Sequence, residues 1–171
     1  MHRRPATIRE TKALGHPLRV RILRLCREDE LTNKQLADRL GKDPGTVLYH
    51  VRQLVEAGLL DQAPVRTGPS GALEKPYRTV VDTWWIDGPL NEAEPAVRFA
   101  PIEAFQDELR DAGPESVRTY ARFVLHLNAE EVAELERRIL TVLDEYIEND
   151  AERQPDRPAL GGIFVLHQLA D

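Results

Sequence analysis

Cysteine occurs once in 171 residues, at Cys26. A single thiol excludes a disulfide framework and suits a reducing cytoplasm. No apolar run approaches the ~18 residues that a membrane span requires, and Met1-His2-Arg3-Arg4 leads into no signal-like apolar segment. The expectation is a cytoplasmic chain with no membrane partner. Low-complexity tracts are missing too. The sequence also lacks a nucleophile elbow, a phosphate loop and any strong metal-ligand spacing, so no enzyme activity, cofactor or metal is expected. A hydrolase built on His126, His167 and a carboxylate ranks last among the readings.

Basic charge is scarce overall but not evenly so. The chain carries 23 Lys+Arg against 29 Asp+Glu, a net of −6. Residues 1–82 hold 15 basic and 10 acidic side chains, a net of +5, whereas residues 83–171 hold 8 and 19, a net of −11. The N-terminal half, which includes Arg3, Arg4 and Arg9, can therefore face a polyanion while the acidic half faces away from it.

What is present in that basic half is a run of helix signals. Pro17 opens a helix with Leu18, Ile22, Leu25 and Cys26 on one stripe; on such a stripe a buried, inert thiol is the default. Thr32 and Gln35 form a Thr-x-x-Gln capping box, so a helix begins at Asn33, with Leu36, Ala37 and Leu40 on its apolar face and Gly41 as its stop. Asp43 and Pro44 restart the chain as an N-cap acid and a first-turn proline. The new helix runs to about Ala57 and Gly58 closes it. Val47, Val51, Leu54 and Val55 fall on its inner side, Gly45, Thr46, Tyr49, Arg52 and Gln53 on its outer side, and His50 at the seam. Beyond it, Leu59–Thr67 and Lys75–Val81 read as two strands around Thr67-Gly68-Pro69-Ser70-Gly71, with Arg66, Lys75 and Arg78 along the hairpin.

Two short helices joined by a tight turn and followed by a basic hairpin make a winged helix-turn-helix. The outer helix face has major-groove chemistry: Arg52 can fork onto guanine, Gln53 can bracket adenine, and Thr46 can touch a thymine methyl or a phosphate. Lys42, Pro44, Gly45, Tyr49 and His50 complete the candidate DNA-facing set on this helix, and Arg66, Lys75 and Arg78 extend it along the wing. Small Gly45 permits close approach to the sugar–phosphate chain.

The stretch "ALGHPLRVRILRLC" followed by "LTNKQLADRLGKDPGTVLYHVRQLVEAGLL" resembles the ArsR-type winged-helix transcription regulators. The matching positions are Ala13, Leu14, Pro17, Arg19, Ile22, Leu23 and Leu25, then Thr46, Val47, His50, Val51, Leu54, Ala57, Gly58 and Leu59, within residues 10–82. The resemblance implies a dimeric, DNA-binding transcription factor of prokaryotic type. Metal-sensing members often carry a Cys-x-Cys pair at the start of the first helix of the motif. Here Lys34, Gln35 and Leu36 stand in that region, so thiolate metal sensing is not expected.

The remainder is read more coarsely. The α+β chain divides into a winged helix-turn-helix domain at 1–85, a Pro- and acid-punctuated linker at 86–101, and a smaller C-terminal dimerisation module at 102–171 that could also sense a small-molecule effector. In that module Ile102–Ala112 is a short helix. Tyr120–Leu127 (YARFVLHL) and Gly161–Leu169 (GGIFVLHQL) read as strands flanking a helix at 129–149, opened by Asn128 and Glu131 and striped by Val132, Leu135, Ile139, Val142 and Tyr146. His126 and His167 would then lie on paired strands, where a hydrogen-bonded imidazole is commoner than a metal ligand. Trp84 and Trp85 could cap the core, line a pocket between domains or join a dimer interface. The functional expectation is a homodimeric, sequence-specific double-stranded DNA-binding repressor. The alternative is a winged helix used for protein–protein contact without operator binding.

Overall fold

The computed structural model describes residues 4–80, 86–87, 95–150 and 157–170. Trp84 and Trp85, Arg3 and most of the expected linker lie outside them. The chain divides into two compact units, His2–Ser116 and Val117–Asp171.

The first unit is built around one buried helix. A short strand, β1 (Arg4–Pro5), leads into α1 (Ile8–Leu14), whose Thr7–Glu10 capping box closes its first turn. Glu10 is buried, and its carboxylate accepts from the Arg4 guanidinium at 2.5 and 2.9 Å. Helix α2 (Pro17–Glu28) starts on the proline, with the His16 ring accepting from the Leu18 N–H at 3.2 Å. Arg19 in its first turn donates to the carbonyls of Lys12 and Ala13, closing the end of α1 with a side chain. Ile22, Leu23, Leu25 and Cys26 are buried in the core, together with Leu36, Ala37 and Leu40 of α3 (Asn33–Leu40) and Val47, Val51 and Leu54 of α4 (Pro44–Glu56).

The signals between α3 and α4 act as the sequence indicates. Thr32 accepts from the Gln35 N–H, the Gln35 amide oxygen accepts from the Thr32 N–H at 2.8 Å, and Gly41 adopts φ +59° to end α3. Asp43 caps α4 by accepting from the Thr46 N–H at 3.0 Å. Asn33 donates to the Pro44 carbonyl at 2.9 Å and so ties the two helix starts together. Val55 departs from its expected place: it is 40% exposed, at the edge of the inner face rather than in it.

The wing is a jointed hairpin rather than two continuous strands. Strand β2 (Leu31–Thr32) joins β3 (Leu60–Gln62) and β6 (Pro76–Thr79) in an antiparallel sheet ordered β2-β6-β3, with Gln62 opposite Tyr77. Strands β4 (Arg66–Thr67) and β5 (Leu73–Glu74) form a separate tip. Pro64 lies in the break between the two ladders and supplies no N–H, whereas Pro76 opens β6 and its carbonyl accepts from the Ala63 N–H at 2.9 Å. Beyond the wing, β7 (Ile86–Asp87) returns to pair in parallel with β1.

Helix α5 (Pro95–Ala112) starts inside the stretch that reads as linker and packs on α1 and α2, so the compact unit runs on to Ser116. Ala100 and Ala104 are fully buried. A Cβ at Gly15 would stand 2.8 Å from Val97 Cγ2, so glycine at the α1–α2 corner admits the new helix. The nearly buried Arg21 pairs with Asp111 and, at 4.0 Å, with Asp107, and Arg24 pairs with Glu108 at 2.7 Å.

In the second unit the strand–helix–strand expectation is corrected. Helix α6 (Ala129–Glu148) forms with its Asn128–Glu131 capping box, but 120–127 and 161–169 form no strands. Strands exist only where a neighbour accepts and donates the ladder bonds, and among the described residues neither segment has a backbone partner. None of the described helices is long and apolar enough to cross a membrane.

Candidate nucleic-acid interface

Helix α4 presents two chemically different faces. Val47, Val51 and Leu54 have no exposed surface, while Lys42, Pro44, Gly45, Thr46 and Arg52 are exposed and Tyr49 is 58% exposed. Gln53 is half-buried, and its amide donates to Glu56 at 3.3 Å. Neither Lys42 nor Arg52 is engaged in an ion pair among the described residues. The inner face anchors the helix and turns the outer row of side chains away from the core.

His50, expected at the seam and counted among the DNA-facing candidates, is turned inward. It is only 7% exposed, and its ring lies 4.3 Å from that of His16, centroid to centroid. Its Nδ1 is buried without a hydrogen-bond partner among the described residues. Burial, with His16 and Arg19 nearby, pushes its pKa down to about 4, so the ring is a neutral packing group. Tyr49 stands edge-on to it, with ring centroids 5.1 Å apart.

Gly45 acquires a local reason alongside the expected one. A Cβ there would lie 2.9 Å from Asp43 Oδ2, so glycine leaves room for the capping carboxylate. That carboxylate also occupies the Thr46 N–H at the start of α4, where an anion would otherwise be attracted.

The three wing cations differ from one another. Arg66 donates to Glu74 and to the Glu30 carbonyl, both at 3.2 Å, and Arg78 lies 4.0 Å from the Glu30 carboxylate. Lys75 is exposed and makes no ion pair among the described residues. Of the N-terminal arginines, Arg4 is committed to Glu10, whose pKa it holds down to about 2. Arg9 and Lys12 of α1 instead line a shallow depression of about 460 Å³ with Gln53, Glu56 and Ala57, and so add basic charge beside the end of α4. The sequence reading missed Lys12, although its spacing from Arg9 places both on one helical face.

Among the described residues no three His, Cys, Asp or Glu side chains group as a metal site would require. His126 and His167 are both exposed, and the His167 ring lies 3.1 Å from the Gln168 carbonyl. Burial raises the Cys26 thiol to about 12.

A tri-helical core, a tight α3–α4 turn and a β2-β6-β3 wing define a winged helix-turn-helix protein. Residues 14–63 match the family model of a helix-turn-helix domain, the kind of domain found in DNA-binding transcription regulators. The match takes in α2, α3, α4 and the first wing strand, and leaves out α5 and the whole of the second unit. No curated protein matches the chain.

Proposed function

We propose that this chain is a sequence-specific, double-stranded DNA-binding transcription regulator of ArsR-like type, acting as a homodimeric repressor. The observation that carries this reading is the outer row of α4: Gly45, Thr46, Tyr49 and Arg52 are exposed, while Val47, Val51 and Leu54 fix the opposite face in the core. Tyr49, Arg52 and Gln53 read base edges in the major groove. Lys42, Thr46 and Lys75 contact phosphates, and Arg66 and Arg78 join them by exchanging a protein carboxylate or carbonyl for a phosphate oxygen. In a two-fold dimer the recognition helices address half-sites ~34 Å apart. Repression follows if the occupied site overlaps that of the transcription machinery. A DNA target and a single buried thiol suit the cytoplasm.

The test is selection of bound fragments from random DNA by the full-length protein at about 150 mM salt, where non-specific phosphate binding is weakened. A recurring two-fold motif that disappears in Arg52→Ala/Gln53→Ala supports the reading. Failure to enrich any sequence would overturn it in favour of a winged helix that contacts proteins.

A further inference from the structure

The second unit contains no buried side chain among its described residues. Its apolar groups are nevertheless large and ordered along the chain. Tyr120, Phe123, Val124, Leu125, Val142, Tyr146, Leu160, Val165 and Leu169 are all exposed. Val132, Leu135, Ile139, Leu140, Leu143 and Ile147 of α6 are only half-buried, and a segment that buries so little gains little hydrophobic stabilisation to set against the entropy of ordering it.

The exposure itself has a strand's period. In one segment Phe164 and Leu166 are half-buried while Ile163, Val165 and His167 between them are exposed. In the other, Phe123, Leu125 and Leu127 are 47%, 52% and 36% exposed, against 85% for Tyr120 and 63% for Val124. Alternation of this kind is the signature of a half-buried strand. The two segments also share the run Phe-Val-Leu-His, at 123–126 and 164–167. Yet neither finds a ladder partner in its own chain among the described residues.

Charge indicates what the partner is. Helix α6 carries seven acidic side chains and two arginines. The segments at 117–127 and 157–170 carry Arg118, Arg122 and Arg157 and no acid at all. A second copy of this unit is therefore complementary to the first: its basic, apolar segments suit the acidic amphipathic helix, and its strand edges match the first copy's own in sequence.

We infer that residues 120–127 and 162–169 become strands in a sheet shared between two copies of the chain, with α6 laid on its apolar face. A segment that crosses a two-fold axis meets its own copy antiparallel, so one self-complementary edge satisfies both chains. This deepens the homodimer proposed above and rests on that reading for the two-fold symmetry alone.

The experiment uses the full-length protein, with mass in solution and amide hydrogen exchange read on the same sample. Wild type sediments as two chains at micromolar concentration, with slow exchange at 123–127 and 163–167 that becomes fast on dilution to the monomer. Val124→Pro/Val165→Pro, which removes two ladder donors, sediments as one chain, and its helix content is retained. Leu125→Asp/Phe164→Asp behaves alike by charging the inner face. A monomeric wild type overturns the inference, as does a dimer whose segments exchange freely, slow exchange in a monomer, or a dimer that survives both double variants. DNA selection on the same wild-type protein is a separate readout. A dimer of the described kind that enriches no sequence sinks the DNA reading and leaves the shared sheet standing, and a monomer that enriches single half-sites does the reverse.

Discussion

The imidazole of His50, in the middle of α4, packs against that of His16, the cap of the central helix, with ring centroids 4.3 Å apart and planes tilted by 46°. Two bases at this distance cannot both be protonated cheaply, and burial opposes charging either one. Each titrates below its ordinary value of 6.5, His50 at about 4. Arg19 and the edge of Tyr49 also face this pair, and Arg19 disfavours further positive charge.

The sign of the resulting pH dependence is fixed. Between about 4 and 6.5 the unfolded chain binds a proton that folded His50 does not, so stability rises with pH through this window and is fully present above it. Urea midpoints followed by helix circular dichroism should fall as pH is lowered from 6.5 towards 4. His50→Phe, which keeps a ring in the site, should flatten that slope. An unchanged slope in the variant would assign the effect to other groups. Glu10 contributes at lower pH: its carboxylate is held to about 2 by Arg4, so its share is lost as pH falls from its ordinary 4.5 towards 2.

Asp43 should separate stability from affinity. Its carboxylate caps α4 through the Thr46 N–H. Asp43→Ala is expected to cost about 1 kcal/mol of stability, as cap removals do. It also removes a negative charge from the face proposed to meet phosphates, so binding to non-specific DNA should tighten. Thermal unfolding and a salt titration of DNA binding measure the two effects. A variant that loses both stability and affinity would show that Asp43 holds the interface together.

Arg52 and Lys75 should differ in kind. Arg52→Ala should relax discrimination at one base position by ~1–3 kcal/mol. Lys75→Ala should weaken all sequences alike and lower the salt slope by about one. Titrating both variants against selected and scrambled sites checks this. Identical behaviour would mean that the proposed division between reading and positioning is misplaced.

Cys26 should be silent in the native protein. Its thiol is buried and its pKa raised to about 12, so a thiol-reactive chromogenic disulfide should react only at the rate of unfolding and at full stoichiometry in denaturant. Fast native labelling would reveal an opening at α2.

The helix-turn-helix was legible because its signals are local. Thr32 with Gln35, Gly41, and Asp43 before Pro44 each fix a helix end through bonds to atoms at most a turn away. His50 was misplaced because a position at the seam of a helix turns inward or outward according to what lies across from it, and here that is His16. Helix α5 was hidden by Pro95 and Pro101, which read as linker residues. Its stability comes from contacts with α1 and α2, among them the pairing of Arg21 with Asp111 ninety residues later. The C-terminal strands failed for a different reason: their pattern is strand-like, but a ladder is a property of two segments, and among the described residues neither finds a backbone partner.

The parallel pairing of Arg4–Pro5 with Ile86–Asp87 bears on how the protein is handled. The first residues look like the ragged start that is routinely trimmed or buried under an affinity tag. Removing them would strip a backbone partner from the segment after the wing and, with Arg4, the counter-ion of the buried Glu10. A shortened preparation would then carry an uncompensated carboxylate beneath α1, and its weakness would be charged to the domain rather than to the cut.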